Sequence, residues 1–136
     1  MRHYPSDRVD LRSDTVTQPT SEMRKIMSSA IVGDDVLGDD STVNELQEYI
    51  ARILGKEAAL FVPSGTMSNA IAIKSQTKPG DEIVTHKKSH IYLYEGGGYA
   101  SLAGCSVSLV GGDKGIMSPG DVKSAIRKSE GSQSHY

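Results

Sequence analysis

The sequence predicts an α/β protein built around a mostly parallel sheet, and three observations carry that expectation. Short apolar runs that read as strands alternate with segments whose apolar residues recur at helical spacing. The run at residues 58–62 is continuously apolar rather than alternating, the pattern of a strand covered on both faces. Glycine and proline, 14 and 5 of them, fall between these segments without a period, which marks loops rather than a repeat.

Residues 1–18 form a polar, irregular arm, and Pro19, Thr20, Ser21 and Glu22 open a short helix through Met23, Ile26 and Met27. That helix ends before Gly33. The stretch 33–40, GDDVLGDD, is too polar and glycine-flanked for regular structure and reads as a loop. Thr42 and Glu45 have capping-box spacing, Val43, Leu46, Ile50 and Leu54 mark one helix face with Ile53 beside them, and Gly55 stands as the stop. The strand at 58–62 is closed by Pro63, and SGTMSN at 64–69 opens a helical stretch through Ala70, Ile71 and Ile73. Pro79, Gly80 and Asp81 turn the chain into a second strand at 83–85, so strand, helix and strand predict a βαβ unit. Residues 89–103 read as a helix interrupted by Gly96, Gly97 and Gly98, and 106–110 as a third strand. Ser118, Pro119, Gly120 and Asp121 cap a last helix through Val122, Ala125 and Ile126. The folded body is expected over 19–128, with 129–136 an unstructured tail.

A chain of 136 residues suffices for one ordinary domain. Fifteen Lys and Arg stand against 17 Asp and Glu, a net charge of -2, and no block of like charge marks a nucleic-acid or anionic-membrane footprint. Apolar residues make up 37% and aromatics 5%, with no Trp and one Phe, so the core is expected to be thin and aliphatic. The single cysteine, Cys105, excludes an internal disulfide and reads as a small buried hydrophobe beside a strand. The opening MRHYPSDRVD lacks a signal-like apolar stretch, and no run approaches the roughly 20 residues of a membrane helix. A soluble, cytoplasmic protein is the expectation.

Ser64, Gly65 and Thr66 lie where the strand at 58–62 gives way to a helix. A first helical turn carries unpaired N–H groups and a partial positive charge, Gly65 permits close approach, and two hydroxyls add donors, so a phosphate could dock there. The plain alternative, that Ser64 and Thr66 only cap the helix, stays open. The segment is neither a Walker loop nor GxGxxG. His90 follows the second strand at the carboxyl end, where ligands of parallel sheets collect, and its ring could stack on a planar ligand. His86, beside Lys87 and Lys88, is expected to be solvated, while His3 and His135 lie in terminal segments. No histidines have metal-ligand spacing, and the acidic loop lacks the pattern of an EF-hand, so no metal site is expected. Ser13 and Asp14 by themselves read as a turn.

The strings DLRSDTVTQPT (10–20), GDDVLGDDSTVNEL (33–46), GKEAALFVPSGTMSN (55–69), GDEIV (80–84) and SHIYLYEGG (89–97) stand in an order and spacing that resembles the amino-terminal part of threonine aldolases. The resemblance runs to about residue 128. It implies a partial, truncated fold type I large domain of three α/β/α layers with pyridoxal 5'-phosphate as cofactor, in an enzyme that cleaves threonine or allo-threonine to glycine and acetaldehyde. Carried onto matching positions, it implies that Ser64, Gly65 and Thr66 hold the cofactor phosphate. It further implies that His90 stacks on the pyridine ring and that Ser13 lies near the substrate carboxylate. It also implies a homo-oligomer, with the acidic loop reaching a partner's site.

Nine lysines are present, at 25, 56, 74, 78, 87, 88, 114, 123 and 128, and none falls at the family's Schiff-base position. By the resemblance that lysine is absent from this chain, which is expected to be inactive alone. Leu37 stands where the family motif GDDVYGED has tyrosine, which removes a hydroxyl expected near the substrate. The stretch KSEGSQSHY leaves the family pattern, so a truncated product or fragment is expected. Two further readings are a related β-eliminating lyase and a non-catalytic, phosphate-ligand-binding or regulatory chain.

Overall fold

The computed structural model describes residues 9–127. The expected tail at 129–136, the start of the arm, and His3 and His135 lie outside them. The chain divides into two compact units, parted between Phe61 and Val62.

In the first unit, Ser13 caps a single 3-10 turn at Asp14–Val16, its side chain accepting the Thr15 N–H. Helix α1, Ser21–Ser29, begins as expected, with the Thr20 hydroxyl accepting the Met23 N–H at 3.2 Å. The loop at 33–40 is more ordered than its composition suggests. It contains a 3-10 turn at Asp35–Leu37, capped by Asp34 and closed by Gly38 at φ 73°. Helix α2, Ser41–Ile53, starts at Asp40 rather than at the expected Thr42. Both oxygens of the Asp40 carboxylate are used, one accepting the Val43 N–H at 2.9 Å and the other the Gly33 N–H at 3.1 Å. One hydroxyl oxygen at Thr42 could not tie the loop to the helix in this way, and the Thr42 Oγ1 instead donates to the Ile31 carbonyl. Gly55, at φ 59°, follows the helix end as expected.

The expected strand at 58–62 does not form. Leu60 and Phe61 are exposed, and the Phe61 N–H donates to the Gln47 side chain at 2.9 Å rather than to a neighbouring strand. An apolar run becomes a covered strand only when other strands pair with its backbone, and no sheet of the described residues includes this one. The βαβ unit expected across 58–85 is therefore absent.

The second unit holds the sheet. Helix α3, Gly65–Gln76, leads to β1, Glu82–His86, then to α4, His90–Leu93, and α5, Gly98–Ser101, and on to β2, Ser106–Val110. The two strands pair in parallel, from Glu82 opposite Ser106 to His86 opposite Val110. The βαβ connection is thus β1–α4–α5–β2, one element later than expected. The helix predicted at 89–103 is two short helices, because Gly96 and Gly97 adopt φ of 59° and 72° between them. Helix α6, Pro119–Ala125, carries the expected capping box between Ser118 and Asp121.

The core is thin, as the composition implies. Among the described residues the buried apolar side chains are Ala51 in the first unit and Ala103, Cys105 and Val110 in the second. Cys105 is buried immediately before β2, as expected. No helix is long and apolar enough to cross a membrane among the described residues.

Candidate functional site

The segment Ser64-Gly65-Thr66 stands at the start of α3. Ser64 has extended backbone, φ -152° and ψ 151°, and its Oγ accepts the Met67 N–H at 3.1 Å. The Ser64 carbonyl accepts the Ser68 N–H at 3.0 Å, which closes the first turn. A serine oxygen that accepts one bond still has its own O–H to donate. The N–H groups of Gly65 and Thr66 belong to the helix's first turn, where no intrahelical acceptor is available. A Cβ placed on Gly65 would meet nothing within 4 Å, so the space beside these donors is open, and all three residues are exposed. The donor set and the open approach suit a phosphate group. The capping role of Ser64 is real, and it leaves the other donors free for an anion.

His90 opens α4, four residues beyond the end of β1. Its side chain is 63% exposed, and its Nδ1 lies 2.7 Å from Oε1 of Glu95. Only 4% of the Glu95 side chain is exposed. The same Oε1 accepts the Asn69 side-chain N–H at 2.6 Å, so Glu95 joins the second turn of α3 to the ring of His90. Burial raises the Glu95 carboxyl pKa, but the Asn69 amide and the His90 ring outweigh it and hold the group below the ordinary carboxyl range. The Tyr94 ring flanks His90, with centroids 5.2 Å apart and planes tilted by 47°.

Glu95 and Asn69 escaped the sequence reading. The available signal was a lone acid in a segment of aromatic and apolar residues, five positions beyond His90. His86 is a correction: it is 8% exposed rather than solvated, because it is the last residue of β1 and opposite the buried Val110, while Lys87 and Lys88 turn outward. Its Nδ1 accepts the Lys88 N–H at 3.1 Å, and its Nε2 is buried with no hydrogen-bond partner among the described residues.

Ser13 lies in the first unit and is exposed. Its Oγ bonds the side chains of Asp14 and Thr15 within the turn. Immediately before Ser13, Arg12 forks onto Asp10, and this lowers the Asp10 carboxyl pKa to about 2. The acids of the 33–40 loop act locally: Asp34 caps the 3-10 turn, and Asp40 caps α2 and binds Gly33. The Val43 and Gly33 N–H groups lower the Asp40 pKa. Leu37 is 72% exposed.

A family model described as beta-eliminating lyase matches residues 10–136. The chain is 46% identical over 126 residues to low-specificity L-threonine aldolase 1 of Arabidopsis thaliana, covering 91% of this chain and 35% of that protein. It is 52% identical over 94 residues to the low specificity L-threonine aldolase of Escherichia coli strain K12, covering 69% of this chain and 28% of that protein. It is also 49% identical over 120 residues to the uncharacterized protein R102.4 of Caenorhabditis elegans, covering 88% of this chain and 29% of that one. A solved structure from Listeria monocytogenes EGD-E, of a protein proposed to be an L-allo-threonine aldolase, superposes with a TM-score of 0.59 at 25% identity. That superposition covers 82% of this chain and 33% of the other. The chain therefore spans about a third of the length of the curated relatives it matches. Its α/β fold is part of the fold that this neighbour carries, with the parallel pair β1 and β2 as the sheet. On the match from residue 10 to 136, the chain belongs to the beta-eliminating lyase family, with threonine aldolases among its relatives.

Proposed function

We propose that this chain supplies the phosphate-holding and ring-facing side of a pyridoxal 5'-phosphate site in a threonine aldolase, an enzyme that cleaves threonine or allo-threonine to glycine and acetaldehyde. The observation that carries this reading is the open, donor-rich start of α3 at Ser64, Gly65 and Thr66, in the same unit as a histidine whose ring is held by a buried carboxylate. In the intact enzyme the bound cofactor would supply an electron sink for the carbon–carbon cleavage.

The chain's own residues have more limited tasks. The Gly65 and Thr66 N–H groups and the hydroxyls of Ser64 and Thr66 bind the phosphate, aided by the positive end of the α3 dipole. His90 lies against the pyridine ring, with its own ring plane set by Glu95. Ser13 binds the substrate carboxylate. The base that takes the hydroxyl proton, and the lysine that holds the cofactor covalently, are assigned to no residue of this chain. Assembly as a homo-oligomer, with the loop at 33–40 close to a partner's site, and a cytoplasmic location are parts of the same proposal.

The test uses the 136-residue chain and titrates it with pyridoxal phosphate, comparing Ser64→Ala with Ser64→Asp. Aspartate is as good an N-cap as serine, so Ser64→Asp keeps α3 intact but places a negative charge where the phosphate should sit. Two unit charges about 4 Å apart at an effective dielectric near 20 repel by about 4 kcal/mol, so binding should weaken at least ~100-fold. Ser64→Ala should cost about 1 kcal/mol of helix stability and weaken binding less. Unchanged binding in Ser64→Asp would overturn the phosphate assignment. Binding without release of acetaldehyde from threonine is the expected outcome for this chain alone, since the lysine that holds the cofactor is assigned to none of its residues.

A further inference from the structure

We infer that Glu95 is a positioning residue that holds the His90 proton on Nδ1, leaving Nε2 as the ring's free lone pair. The inference rests on the proposed site only for its purpose; the proton's location follows from the contacts and charge of Glu95.

Glu95 Oε1 lies 2.7 Å from His90 Nδ1 and 2.6 Å from Asn69 Nδ2. An ionised carboxylate accepts hydrogen bonds and cannot donate them, so at this distance Nδ1 must carry the proton. Glu95 is ionised at neutral pH, since the Asn69 amide and the His90 ring overcome the penalty of burial. The neutral ring is therefore the Nδ1–H tautomer, whereas unrestrained histidine side chains favour Nε2–H. The hydrogen bond made by one ring nitrogen decides the state of the other.

The carboxylate can impose this state because it is itself fixed. Its side chain is 4% exposed, against 63% for His90, and Asn69 anchors it to the rigid body of α3. The exposed ring thus takes its orientation from a buried group on the far side. Tyr94, 5.2 Å away, limits rotation of the imidazole plane from its own helix end. If His90 stacks on the cofactor ring, a fixed plane avoids the entropy of ordering it on binding. A free Nε2 lone pair would then be available to accept a proton or hydrogen bond at the edge of the site.

The experiment records two-bond nitrogen–proton correlations on the full chain labelled in histidine, at about pH 9, well above the ordinary imidazole pKa of about 6.5. The His90 signals are those lost in His90→Gln. Protonated Nδ1 and unprotonated Nε2 are expected, moving toward the opposite pattern in Glu95→Met, which removes both oxygens at similar side-chain length. An Nε2–H ring in the unsubstituted chain, or no change in Glu95→Met, would overturn the inference. If Glu95→Met loses its dispersed spectrum, Glu95→Ala, which also removes both oxygens, is read by the same criterion.

A second readout separates positioning from general support. Glu95→Met should weaken pyridoxal phosphate binding at least several-fold while inorganic phosphate binds as before, because the Ser64 cradle is untouched. Equal loss for both would refute the positioning role. Failure of the unsubstituted chain to bind pyridoxal phosphate would sink the proposed function and leave the tautomer measurement to decide this inference.

Discussion

Replacing Gly104 with alanine tests how tightly the turns around the sheet are built. Gly104 lies between α5 and β2 at φ +73°, where its N–H donates to the Ala100 carbonyl and its carbonyl accepts the Gly80 N–H at 2.9 Å. An added Cβ would stand 3.0 Å from the Pro79 Cβ and 3.1 Å from the Pro79 Cα. Neither atom can swing aside, because the proline ring and backbone hold both. The left-handed conformation costs roughly 1–2 kcal/mol for a residue with a Cβ. Crowding against fixed atoms adds about 1–3 kcal/mol, for a total of about 2–5 kcal/mol. A typical domain is stable by only about 5–15 kcal/mol, so the change should be plain in urea unfolding followed by far-ultraviolet circular dichroism. With a slope near ~2 kcal/mol per molar urea, the midpoint should fall by about 1–2.5 M. Gly96→Ala is the control, since Gly96 also has positive φ, +59°, but nothing within 4 Å of the added Cβ. It should cost only the conformational part, about 1–2 kcal/mol. If the two variants fall together within about 0.5 kcal/mol, Pro79 does not crowd Gly104 and the close approach of these turns is wrong.

Other outcomes follow from named groups. Asp40, Glu95 and Asp121 titrate below their ordinary carboxyl values. For Asp40 the main cause is the Val43 N–H, and for Asp121 the Ser118 hydroxyl; for Glu95 burial opposes the shift and is outweighed by Asn69 and His90. A depressed folded pKa adds stability that is complete above the unfolded value of about 4 and is lost as pH falls through the folded value. Acid titration of the urea midpoint should therefore decline below about pH 4, and Asp40→Asn should flatten that decline. His86→Leu should leave the urea midpoint unchanged or raise it, because it removes a buried ring nitrogen with no hydrogen-bond partner among the described residues, a group that costs about 1–3 kcal/mol; a clear fall would mean that Nε2 is satisfied after all. Gly33→Ala should disorder the acidic loop, since its Cβ would collide with the Asp39 carbonyl, and amide exchange at Val43 should quicken as the Asp40 cap loosens.

Features that depend on neighbours in the chain were legible from the residues. The Thr20 cap, the Ser118 and Asp121 capping box, the Gly55 stop and the exposed start of α3 each rest on contacts within a few residues. The strands at 83–85 and 106–110 were also readable as strands, although the βαβ unit they form with each other was expected one element earlier. Resemblance across five motifs added the family, which the match over residues 10–136 bears out.

Tertiary structure decided the rest. Residues 58–62 have the composition of a covered strand, yet Leu60 and Phe61 are exposed, because a strand is made by partners and not by its own side chains. His86 and Lys87 are polar neighbours in sequence, and the strand's pairing with β2 buries the one at its end and leaves the next exposed. The link from Asn69 to Glu95 to His90 spans 26 residues, from α3 to the loop after α4. Local sequence carries caps and turns because their donors and acceptors lie within one helical turn. The Asn69 amide that fixes the Glu95 carboxylate beside His90 comes from 26 residues away, and it is the fold, not the chain's order, that brings it there.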